Sequence, residues 1–183
     1  MTRAAKTADL QLRLIYSIIV AGKSARFAAA AIERLGLSRS HDSFQAVRLW
    51  IARGRLLETL RKARTGNYCK ITNALIQFVR TPIDLRTCTP AQLEEIHGIG
   101  PKTSRFFILW TRPGARYAAL DVHVLRWMRA RGYNAPETTP SGAKYRELEM
   151  AFLAEADKRG VTPRELDAQI WRDGSSGGKK VKP

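Results

Sequence analysis

Leu93-Glu94-Glu95-Ile96-His97-Gly98-Ile99-Gly100-Pro101-Lys102-Thr103, followed by Ala119-Leu120-Asp121-Val122-His123, decides how this chain is read. The stretch predicts a helix, a tight Gly-X-Gly turn and a second helix, then an acidic residue at the mouth of a third. Glycine lets a backbone turn sharply and come close to a partner, because it has no Cβ to clash. The amides at the start of the next helix point at an anion, and the helix dipole favours negative charge there. In a chain of net charge +16 the obvious anion is a nucleic-acid phosphate.

The bulk properties agree. A chain of 183 residues with 44% hydrophobic content suits one domain, or two small helical lobes sharing a cleft. A charge of +16 implies a polyanionic partner, nucleic acid ahead of membrane. Basic residues run through the whole sequence as well as the Lys179-Lys180-Val181-Lys182 end, which favours a charged binding face. Cys69 and Cys88 are too few for a disulfide framework or for a four-cysteine iron–sulfur cluster. With no secretory signal read at the N-terminus, reduced thiols in a cytoplasm are expected. The apolar run Leu14 to Val20 is much too short to span a bilayer.

Along the chain, residues 1–9 read as a basic arm, 10–173 as a helical catalytic domain and 174–183 as a disordered basic tail. Apolar residues recur at helical spacing from Leu10 to Leu35. Further helices are predicted over Ser40 to Ile51, Arg55 to Ala63 and Tyr68 to Val79. The hairpin spans 89–109, the Asp-bearing helix 121–130, and later helices Lys144 to Lys158 and Thr162 to about Trp171. Thr89-Pro90-Ala91-Gln92 and Thr162-Pro163-Arg164-Glu165 are capping boxes with Pro at the first helical position. Some eight helices and no strand are expected, an all-α fold.

Ala21-Gly22-Lys23-Ser24 looks like the end of a phosphate-binding loop. That loop needs another glycine five residues before Gly22, and Ser17 stands there in a helical context. Nucleotide binding is rejected. Asp121 reads either as a helix N-cap or as a working carboxylate, which would stabilise developing positive charge or take a proton. Lys102 reads as a nucleophile or a phosphate contact. Gly98, Ile99 and Gly100 supply amides, Thr103 and Ser104 hydroxyls, and Arg105 and Arg112 charge. His123 reads as orienting Asp121, as a phosphate contact, or as a packing or capping residue. Tyr68, Trp110, Trp127 and Trp171 are candidate stacking partners for a base, or core aromatics.

The block His97 to Lys102 with the trailing Asp121 resembles the helix-hairpin-helix DNA glycosylase superfamily. Lys102 falls where its bifunctional members carry a lysine nucleophile, and Asp121 where the superfamily carries its essential aspartate. The resemblance covers Leu10 to Trp171 and is strongest from Leu93 to Arg131. It implies a two-lobed all-α fold, double-stranded DNA as partner and no catalytic metal, although hairpin carbonyls in that superfamily can hold a structural monovalent cation. Lys23 falls beside the place where those enzymes put a polar residue into the duplex gap. Gly22-Lys23-Ser24 departs from the usual glutamine-bearing pattern.

Ile99 to Phe107, Trp110 to Pro113, Ala119 to Leu125, Gly132-Tyr133, Thr138-Thr139-Pro140, Lys144-Tyr145-Arg146 and Leu148-Glu149 together look like the bacteriophage alpha-glutamyl/putrescinyl thymine pyrophosphorylases of the smaller clade, amino acid:DNA transferases. That resemblance implies transfer of an amine, such as glycine, onto phosphorylated 5-hydroxymethyluracil in host cytoplasm. Asp121 would then meet the incoming ammonium, while Lys102, Arg105, Arg112 and His123 face the departing phosphate. The alternative is a bifunctional glycosylase and lyase acting on a damaged or modified base. A third reading is a non-catalytic hairpin that only binds DNA.

Overall fold

A computed structural model describes the backbone of residues 7–176 and the side chains of residues 7–174. The expected basic arm and tail therefore lie outside the described residues at 1–6 and 177–183. Among the described residues the chain is helical and carries no strand. It divides into two compact units, Met1–Phe107 and Ile108–Pro183.

The first unit contains α1 (Thr7–Ile19), α2 (Ala25–Arg34), α3 (Ser43–Ala52), α4 (Leu56–Lys62), α5 (Tyr68–Arg80) and α6 (Pro90–Glu94). A short 3-10 turn covers Leu37–Arg39. The predicted run from Leu10 to Leu35 is two helices, because Gly22 takes φ +73° and Ser24 caps α2 by accepting the Phe27 amide at 3.2 Å. Leu14, Leu60 and Leu75 are at most 1% exposed. Burial of each contributes about 2 kcal/mol. A buried polar tie crosses this core, where Gln11 Oε1 accepts the Phe44 amide at 3.2 Å. Helices α1, α3 and α4 pack against α5, which makes α5 the shared support of the unit.

The division falls inside α7 (Pro101–Thr111). The second unit continues with α8 (Val122–Arg129), α9 (Gly142–Lys158) and α10 (Pro163–Ser176). Its core gathers Leu120, Val124, Leu125, Tyr145, Phe152 and Ile170 among others. Helix α10 packs on both α8 and α9. Both predicted capping boxes form: Thr89 with Gln92, and Thr162 with Glu165, whose carboxylate accepts the Thr162 amide at 2.8 Å.

Ten α-helices are present among the described residues, more than expected, chiefly because the first run is broken. Helix α10 also continues past Trp171 through Gly174 to Ser176, where a disordered tail was expected. The packing of α10 on α8 carries the helix across a glycine that local propensity disfavours.

Candidate functional site

The hairpin lies in the first unit, between α6 and the start of α7. Gly98 has φ +84°, a left-handed conformation that suits glycine. It is also crowded: a Cβ there would stand 2.7 Å from Lys70 Cγ. Gly100 differs, since its φ is not positive and a Cβ would meet nothing within 4 Å. Ile99 between them is 4% exposed and plugs the turn into the core. Its amide donates to the Ile96 carbonyl at 3.0 Å, so the expectation of three amides facing outward narrows. Among the described residues the Gly98 and Gly100 amides find no acceptor.

Helix α5 holds the turn from below. Gln77 accepts the His97 amide at 2.8 Å through Oε1 and donates to the Glu95 carbonyl at 3.0 Å through Nε2. Lys70, two helical turns earlier on the same face, lays its aliphatic stem across Gly98. Neither residue was singled out from the sequence. Only their common face on α5 hints at a shared task, and nothing in the sequence says what that face meets.

Beyond the turn the structure redistributes the expected roles. Lys102 is half-buried in the first turn of α7, with Nζ 4.7 Å from the Phe106 ring centre. Thr103 is 5% exposed and Ser104 fully buried, so neither offers a surface hydroxyl. The Ser104 hydroxyl instead donates to Glu94 at 2.7 Å. Arg105, expected at phosphates, pairs with Glu94 at 2.6 Å and with the Pro101 carbonyl at 3.3 Å. Its charge is committed to joining α6 to α7. Arg112 is half-buried just past the end of α7. Lys23 is exposed, and a Cβ on Gly66 would stand 3.2 Å from its Nζ.

Asp121 lies in the second unit, half-buried as the N-cap of α8. Oδ1 accepts the amides of His123 at 2.9 Å and Val124 at 3.0 Å, while Oδ2 accepts the indole N–H of Trp171 at 3.0 Å. The extended approach to Asp121 is tied down on both sides. The Tyr145 hydroxyl donates to the Ala118 carbonyl at 2.7 Å and accepts the Leu120 amide at 3.2 Å. Thr139 donates to the Leu120 carbonyl at 2.9 Å, and Glu149 accepts the Ala118 amide at 2.9 Å. The His123 ring lies 4.7 Å from that of Trp171, and its buried Nδ1 has no hydrogen-bond partner.

Of the other aromatic candidates, Trp127 and Trp110 are engaged in structure. Trp127 packs against the second unit's core, with the Arg131 guanidinium 3.9 Å from its ring centre. Trp110 donates to Asp167 at 3.2 Å and carries Arg164 at 4.8 Å over its ring. Tyr68 begins α5, half-buried. Among the described residues no three His, Cys, Asp or Glu side chains gather as a metal site, and no helix is long and apolar enough to cross a membrane.

No family model matches this chain. Its fold, however, matches solved structures. The 8-oxoguanine glycosylase/lyase of Methanocaldococcus jannaschii, in complex with a 15mer DNA containing 8-oxoguanine, superposes with a TM-score of 0.70 at 20% identity, covering 96% of this chain and 84% of that one. The fold is that of the helix-hairpin-helix DNA glycosylases. The 8-oxoguanine DNA glycosylase of Thermotoga maritima matches with the same TM-score of 0.70 at 24% identity, over 96% of this chain and 83% of its own.

Proposed function

We propose that this protein acts on a base of double-stranded DNA, and that it is a bifunctional glycosylase and lyase. The observation that carries the reading is the glycosylase fold with Lys102 in the first turn after the hairpin and Asp121 capping α8. The Gly98 and Gly100 amides bind a backbone phosphate, and the open space at Gly100 allows that strand to approach. The target nucleotide is flipped out of the stack. The Lys102 amine attacks C1′ of its sugar, and the C1′–N bond breaks with its electron pair leaving on the base. Asp121 stabilises the positive charge that develops on the sugar, or takes the proton that the attacking amine gives up. The C1′–O4′ bond then opens, O4′ taking a proton, so that the amine and C1′ form a Schiff base, and loss of a C2′ proton from it eliminates the 3′ phosphate. Phe106 keeps water from one side of the Lys102 amine. A monovalent cation on the hairpin carbonyls would brace the turn, and it supplies no chemistry in this scheme.

A second reading stays in view because of the motif run from Ile99 to Glu149. Its Leu120, Thr139, Tyr145 and Glu149 are residues that meet at the approach to Asp121, Glu149 through the Ala118 amide. In that reading the base stays on its sugar. The amine of glycine displaces phosphate from the exocyclic carbon of phosphorylated 5-hydroxymethyluracil, and Arg112 and His123 meet the departing phosphate.

One experiment separates the two. Pure protein is incubated with duplexes carrying 8-oxoguanine or phosphorylated 5-hydroxymethyluracil, with and without glycine, and the nucleosides are weighed by mass spectrometry. Free base, with a borohydride-trapped protein–DNA adduct lost in Lys102→Ala, is expected. A nucleoside heavier than thymidine, formed only with glycine, would replace the glycosylase with the transferase. Asp121→Asn abolishes product in either case and leaves DNA affinity nearly intact.

A further inference from the structure

We propose that Trp171 is a positioning residue that fixes the Asp121 carboxylate, and that Gly174 and His123 set its register. The inference rests on the reading above, in which Asp121 is a working carboxylate at the flipped nucleotide.

An N-cap carboxylate needs only one oxygen for the helix, and here Oδ1 alone takes both the His123 and Val124 amides. A carboxylate held on one oxygen can still swing its second about that anchor. The Trp171 indole N–H removes this freedom by donating to Oδ2 at 3.0 Å. With Oδ1 taking two N–H donors and Oδ2 one, a single acceptor direction is left, on Oδ2. Such preorganisation is what a reacting centre draws on, since fixed groups need not reorganise as charge develops.

The indole is itself placed by packing. His123, two residues after Asp121, lies against the Trp171 ring at 4.7 Å with 42° between planes. One turn after Trp171, Gly174 lets the α10 backbone close onto His123 as well. A Cβ at 174 would stand 2.9 Å from the imidazole Nδ1, closer than real Cβ contacts. The glycine is thus explained by the imidazole it touches, and Nδ1 is buried there with no partner. Trp171 and Gly174, three apart on one face of α10, grip His123 and bring the indole N–H onto the carboxylate.

The test uses Trp171→Phe, which keeps a ring against His123 and removes the donor, together with Gly174→Ala. Single-turnover rates are followed on whichever of the two duplexes the wild type converts, with DNA affinity and melting temperature measured alongside. Trp171→Phe is expected to slow the reaction about tenfold, the weight of one hydrogen bond to a charged group, with the half-saturating DNA concentration unchanged. Gly174→Ala raises helix propensity, so a purely local effect would stabilise the protein and leave the rate alone. The inference expects a slower reaction instead.

Wild-type rates in both variants would overturn the inference, as would a loss of affinity and melting temperature in step with the rate. Asp121→Asn, assayed beside them, separates this failure from that of the functional reading. An inactive Asp121→Asn beside a fully active Trp171→Phe sinks only the positioning role. An active Asp121→Asn, or a wild type that converts neither duplex, sinks the reading and the positioning role with it.

Discussion

Arg105 and Glu94 meet at 2.6 Å across the two helices of the hairpin, with side chains only 14% and 29% exposed. The Ser104 hydroxyl joins the same carboxylate oxygen, so one acidic residue on α6 gathers two donors from α7. Removing the charge in Glu94→Gln leaves a largely buried guanidinium without its counter-ion. We expect a loss of about 1–3 kcal/mol in denaturant unfolding, with no weakening of DNA affinity. Arg105→Gln should lose similar stability and keep the salt dependence of DNA binding. A salt slope that falls in Arg105→Gln while stability holds would return Arg105 to the phosphates.

That pair also marks where sequence reading stopped. The hairpin, both capping boxes and Asp121 at a helix mouth were legible, because each rests on neighbours within a few residues. Charge alone could not say that Arg105 faces Glu94, since it stands on a basic turn read as facing phosphate. The Trp171–Asp121 bond spans 50 residues and has no local signature. The same holds for Gln77 beneath the hairpin, a contact made across 20 residues. The Leu10 to Leu35 run misled for another reason: its apolar spacing continues through a turn that Gly22 and Ser24 impose.

Lys70 lies across Gly98, its stem crossing the turn whose amides would take a phosphate. Lys70→Gln is expected to weaken duplex binding and to lower the slope of log affinity against log salt by about 1. Lys62→Gln is the control, since that exposed lysine is already paired with Glu58 at 2.6 Å. An unchanged slope in Lys70→Gln would mean that the lysine serves only to cover the glycine. Gly98→Ala should cost at least about 1 kcal/mol, because φ +84° and the Lys70 stem both resist a Cβ.

Tyr145 is 1% exposed and clamps Ala118 and Leu120 through one hydroxyl. Tyr145→Phe leaves the buried Leu120 amide without that acceptor. A loss of about 1–3 kcal/mol is expected by thermal or denaturant unfolding. The single-turnover rate should fall as well, since the extended segment leading into Asp121 loses a tie. Unaltered stability would show that Thr139 and Glu149 suffice to hold the segment.

Tyr133 and Glu155 give the second unit a dependence on pH whose sign follows from their contact. The phenol donates to Glu155 Oε1 at 2.9 Å. This bond, with help from Lys158, holds the Glu155 carboxyl below its ordinary 4.5. It also holds the Tyr133 phenol above its ordinary 10.0, with burial adding to the rise. A depressed carboxyl adds stability above its ordinary value, and that stability is lost as pH falls through the folded value. A raised phenol adds stability below its ordinary value, lost as pH rises through the folded one. Tyr133→Phe removes the shared bond and so lowers the melting temperature most in the plateau between the two. The gap to wild type should close as the medium is acidified below the carboxylate range, and close again above the phenol range. A gap of constant size from acid to alkali would assign the tyrosine's contribution to ring packing alone.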